Sequence, residues 1–81
     1  GATLLKNILK VLSRNPPMRL THIAKKIYRS SPVTKSLLER LMEVDLVKKD
    51  EKLFTFISPV LRLWCKMYFL NITEEEAKDE L

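Results

Sequence analysis

Eighty-one residues, 46% of them hydrophobic and 31% charged, bound this chain to one small globular domain with enough apolar side chains for a core. One cysteine and one histidine exclude an internal disulfide framework and leave too few soft donors for a zinc centre. The net charge of +5 is unevenly spread: residues 1–72 hold 14 Lys and Arg against 5 Asp and Glu, whereas residues 73–81 hold 1 against 5. A basic body with an acidic tail argues for attraction to polyanions and says nothing about fold.

The first predicted element is a helix in "ATLLKNILKVLSRNPP". Leu4, Leu5, Ile8, Leu9 and Leu12 recur at the spacing of one helical face, and Lys6, Lys10 and Arg14 fall outside it. Asn15-Pro16-Pro17 ends the helix, because proline disfavours helix in its predecessor and donates nothing to the ladder. A second helix follows in "MRLTHIAKKIYRS", with Thr21 as its expected N-cap and Leu20, Ile23, Ala24 and Ile27 inward. Lys25, Lys26 and Arg29 face outward, and His22 is expected to be a solvated first-turn residue.

Ser31-Pro32 announces a third helix, serine as cap and proline in the first turn. Thr34, Leu37, Leu38, Leu41, Met42 and Val44 supply its inward positions, and Asp45 ends it. Leu46–Lys49 and Leu53–Ile57 then read as two short strands about the turn "DEK". Pro59 opens a fourth helix, "PVLRLWCKMYFLN", apolar on more than one face. Trp64 is expected to close the core beside the first helix, with Cys65 a small buried apolar residue. Residues 73–81 form an acidic tail that can continue as a short helix capped by Thr73.

No stretch approaches the roughly 20 apolar residues of a membrane span. Arg62 and Lys66 interrupt the most hydrophobic segment, so a cytoplasmic protein without membrane partners is expected. The chain opens Gly-Ala with no Met and no signal peptide, as an excised fragment does. Its final "KDEL", Lys78–Leu81, is written like a retention address but is read as the end of an acidic tail.

Three helices, a hairpin wing and an additional helix from about residue 59 give a mostly α fold in winged helix-turn-helix order across residues 1–72. That order places the third helix in the major groove of DNA and the wing on the backbone. Val33, Lys35, Ser36 and Glu39 are the base-facing candidates, opposite Leu38 and Leu41. Phosphate candidates are Lys25, Lys26, Arg29 and Arg40 on the helices and Lys48, Lys49 and Lys52 around the wing. The base-reading surface is thin: Lys35 and Arg40 stand against Glu39, Glu43 and Asp45, so weak sequence preference is expected. The rival reading is a protein-docking or dimerisation unit, with Leu63, Met67, Tyr68 and Phe69 of the fourth helix as interface candidates.

The segment "RSSPVTKSLLERLMEVDLVKKDEKLFTFISPVLRLW" resembles the winged-helix domain that follows the nucleotide-binding module in archaeal-type, signal-transducing P-loop ATPases. The resemblance spans about residues 19–66. It rests on Pro32, the Leu38–Leu41 pair, "DLV" at 45–47 and "SPVLRLW" at 58–64, where Ser58 replaces the family's aspartate. It implies a larger parent that binds ATP and magnesium and hydrolyses the nucleotide, with this part a DNA-binding or regulatory module. The chain itself has one glycine and no phosphate-binding loop, and its serines and Cys65 share one histidine. No cofactor, metal or enzymatic activity is expected within these residues.

Overall fold

The structure, a computed structural model, describes residues 2–71 and 73–79, with the side chains of 77–79 left aside. It is mostly helical, with a small three-stranded antiparallel sheet. The elements in chain order are α1 (Ala2–Arg14), β1 (Met18–Arg19), α2 (Leu20–Ile27), α3 (Ser31–Glu43), β2 (Val47–Asp50), β3 (Leu53–Phe56), α4 (Pro59–Leu70) and α5 (Glu74–Asp79).

Helix α1 buries Ile8 and Leu12, as its apolar spacing dictates, and stops before the double proline. Its end is closed by side chains: Asn15 Nδ2 donates to Val11 O at 2.7 Å and Ser13 Oγ to Lys10 O at 2.7 Å. The chain then bends through Asn15–Pro17 into β1, a strand the sequence reading did not anticipate. Two residues are too few to show alternation, and β1 exists because β3 offers it an edge: Met18 pairs with Phe54 and Arg19 with Leu53. The sheet order is therefore β1-β3-β2, a three-stranded sheet in place of a lone hairpin.

Strand β1 also corrects the start of α2. Arg19, already extended at ψ 155°, occupies the N-cap, Leu20 is the first helical residue, and Thr21 lies inside the first turn without capping it. Tyr28 ends α2 in the left-handed region at φ 57°, and Arg29 N donates to Ala24 O at 3.1 Å. The cap of α3 is likewise one residue earlier than expected. Ser30 accepts from Val33 N at 3.4 Å, while Ser31 and Pro32 form the first turn. Thr34, fully buried, donates its hydroxyl to Ser30 O at 2.8 Å, so it enters the core with its polar atom satisfied.

Asp45, in the left-handed region at φ 58°, turns the chain out of α3, and Leu46 N closes back on Leu41 O at 3.0 Å. Val44 sits on this reversal and is exposed, so it does not join the core expected of it. Strands β2 and β3 pair Val47 with Phe56 and Lys49 with Phe54, and Ile57 N donates to Leu46 O beyond the ladder. Val47, Phe54 and Phe56 line the inner face and complete a core with Ile8, Leu12, Met18, Ile23, Ile27, Leu37, Leu38 and Leu41.

Ser58 caps α4 by accepting from Leu61 N at 3.2 Å. Helix α4 lies along α1, contributing Leu61 and Cys65 to the core margin. Arg62 Nη2 donates to Asn15 O at 3.2 Å, which ties the first turn of α4 to the end of α1 and makes the two helices antiparallel. The acidic tail does form a short helix, α5. Thr73 Oγ1 accepts from Glu76 N at 3.2 Å, and Glu76 Oε1 accepts from the Thr73 hydroxyl at 3.0 Å, a reciprocal cap. The side chains of the terminal "KDEL" fall outside the described residues.

Candidate nucleic-acid interface

Alternation along β2 decides which hairpin lysines share a face. Lys49 pairs with Phe54 and therefore shares the sheet face of that inward phenylalanine, its Nζ 5.7 Å from the ring centroid. Lys48 points to the other face, where it lines a hollow with Thr55, Ser58, Pro59 and Arg62. Two lysines adjacent in sequence are thus separated by the thickness of the sheet.

The Lys49 face opens onto a groove of about 420 Å³ between the β2–β3 hairpin and helices α2 and α3. Its walls are Arg19, Leu20, Thr21, Lys35, Lys49, Lys52 and Phe54. Each comes from a different local cause. Lys35 lies in the second turn of α3, outward because Thr34, Leu37 and Leu38 turn inward. Lys52 sits in the hairpin turn that Glu51 makes at φ 59°. Arg19 and Thr21 flank the start of α2, where no side chain caps the first-turn amides. Among the described residues four cations and no carboxylate line this groove, with Arg19 at its rim, shared with the hollow of His22 and Lys26, so its field favours an anion.

The other expected residues divide among neighbouring surfaces. Lys25 and Arg29 line a notch between α2 and α3 with Tyr28, Ser30, Ser31 and Val33, and this notch shares Thr21 with the groove. Val33, Ser36 and Arg40 line a shallow hollow toward Leu4 of α1. Glu39 is exposed one turn beyond Lys35. Lys26 lies behind the groove with His22, Pro16 and Pro17, joined to it through Arg19. Lys35, Lys49 and Lys52 are therefore brought together, Lys25 and Arg29 extend their surface, and Lys48 is set apart. Arg19 and Thr21 are the residues that sequence reasoning missed, and only the unforeseen β1 would have placed them.

The interface candidates on α4 also divide. Tyr68 is 74% exposed, its ring edge-on to Phe69 with centroids 5.0 Å apart, while Leu63, Met67 and Phe69 are half-buried. Trp64 does not close the core: it is 68% exposed, because α1 meets α4 along Leu61 and Cys65 and leaves the indole outside. Burial pushes the Cys65 thiol above its ordinary range, as desolvation disfavours the thiolate. Among the described residues no group of three or more His, Cys, Asp or Glu gathers for a metal, and no helix is long and apolar enough to cross a membrane.

Compared with family models, curated proteins and solved structures, the chain matches none.

Proposed function

We propose that this chain is a winged helix-turn-helix module that binds duplex DNA through its phosphates, with weak sequence preference. The observation that carries the reading is the groove in which Lys35, Lys49 and Lys52 converge, with Arg19 at its rim and no carboxylate among its described lining residues. Cations on that surface meet the backbone and release condensed counterions, which supplies affinity but little sequence information. Base contacts fall to Ser36, Glu39 and Val33 along α3, a set without arginine or asparagine and therefore poor in bidentate readout. The element order supports the same reading, since α3 lies beside a hairpin whose turn carries Lys52. The hairpin also brings Val47, Phe54 and Phe56 into the same core as Leu38 and Leu41, a structural duty independent of any partner.

In this reading the module belongs to a larger archaeal-type P-loop ATPase in the cytoplasm, which would hold the nucleotide and magnesium elsewhere. A second reading, docking onto protein, is favoured by the exposure of Trp64 and Tyr68 on α4.

Titration of a fluorescently labelled duplex with the chain at low salt tests the DNA reading. Binding is expected with similar affinity for unrelated sequences, and log affinity should fall linearly with log salt. Absence of binding to any duplex at about 50 mM salt would refute it.

A further inference from the structure

Helix α4 wears its side chains inside out. Arg62 is half-buried and Lys66 only 3% exposed, whereas Val60, Trp64 and Tyr68 stand in solvent. These three recur every four residues and so form one ridge along the helix, with Ile57 before it and Asn71 after it. No charge interrupts that ridge. A lone exposed aromatic is ordinary, but an uncharged ridge with Trp64 and Tyr68 outward, on a helix whose Lys66 is buried and Arg62 half-buried, marks a contact surface.

We propose that this ridge is the self-association surface of the chain, pairing α4 with α4 of a second copy in antiparallel sense about a two-fold axis. Such a contact is isologous, so the ridge needs to complement only itself, and a ridge without charges presents no like-charge repulsion to its copy. The flanks select the antiparallel sense. Helices α1 and α4 are antiparallel, with Arg14 at the end of α1 that meets the first turn of α4. The acidic first turn of α5, with Glu75 and Glu76 exposed, follows the other end of α4. Antiparallel pairing brings the α5 acids of one copy to the Lys10–Arg14 end of α1 on the other. Parallel pairing would set acids beside acids and cations beside cations, which costs affinity and excludes that register.

The area sets the strength. Trp64 and Tyr68 at their observed exposures, with Val60, offer about 400 Å² per copy, near half of the roughly 800 Å² per partner of a standard stable interface. An area this small places the dimer among weak, transient contacts, so association is expected only toward the upper end of the concentration range. The surface stands apart from the Lys35–Lys49 groove, so the inference does not rest on DNA binding, and failure of either leaves the other to be judged alone.

Trp64 is the only tryptophan and serves as a built-in reporter. Sedimentation velocity and tryptophan emission of the 81-residue chain are followed together from about 1 μM to about 1 mM. The expected result is a rise in mass from 9.5 kDa toward twice that value, with a concordant blue shift as the indole leaves water. Tyr68→Glu, at a solvent-facing position that preserves the core and the reporter, should weaken association at least about tenfold with an unchanged circular dichroism spectrum. Arg14→Glu should weaken it about threefold, and Arg14→Glu with Glu75→Arg should recover most of that loss. A constant monomer mass up to about 1 mM overturns the proposal, as does a rise in mass without a change in Trp64 emission. Association of Tyr68→Glu equal to that of the parent chain overturns it equally.

Discussion

Replacing Lys49 by alanine, and separately its neighbour Lys48, separates the groove from a generally basic surface. Suppose the four groove cations, Arg19, Lys35, Lys49 and Lys52, each neutralise one phosphate. The slope of log affinity against log salt is then about −3.6, from −0.9 per contact. Between about 50 and 200 mM salt, the parent chain should lose about 150-fold in affinity. Lys49→Ala removes one contact, the slope falls to about −2.7, and the loss over the same interval shrinks to about 40-fold. Lys48→Ala lies on the opposite sheet face and should keep the steeper slope. Anisotropy of a labelled duplex at several salt concentrations reads both slopes. Lys49 also sits 5.7 Å from the Phe54 ring, a contact worth about 0.5–1 kcal/mol at an exposed site, so a thermal melt must accompany the titration. A lower slope for Lys48→Ala than for Lys49→Ala would show that the groove is the wrong face.

Three predictions concern the scaffold that holds this face. Leu38→Ala empties a fully buried position between α3 and the wing and should cost about 2–5 kcal/mol, visible as a large fall in the urea midpoint. Ser58→Ala should cost about 1 kcal/mol by removing the cap on Leu61 N, whereas Ser58→Asp should retain or raise stability, because a carboxylate keeps the cap and favours the helix N-terminus. Tyr28→Gly should stabilise the chain by about 1 kcal/mol, since the residue holds φ 57° while 85% exposed and loses little packing on removal. A lowered melting temperature for Tyr28→Gly would mean that its ring contributes more than its strained backbone costs.

The strongest sequence signals were those whose cause is local. Apolar spacing located α1, α2, α3 and α4, the prolines at 16, 17, 32 and 59 set helix boundaries, and Thr73 gave the capped start of α5. The errors cluster where a distant element intervenes. Thr21 and Ser31 are reasonable caps by composition, yet pairing of β1 with β3 made Arg19 extended and moved the start of α2 forward. Ser30 took the cap of α3 because Tyr28, in the left-handed region, ended α2 and left Ser30 extended. Val44 looked inward by period and was turned outward by the reversal at Asp45.

The sequence by itself determined every element except β1, their order and the abundance of lysine on outward positions, because hydrophobic period, proline and capping act within a few residues. Tertiary structure decided which of those lysines share a surface. The strand period sends Lys48 and Lys49 to opposite faces, and a two-residue strand too short to read locally brings Arg19 and Thr21 to Lys35. It also decided the face of α4: the helix is apolar nearly all round, so its own sequence leaves the buried side open, and contact with α1 along Leu61 and Cys65 leaves Trp64 in water.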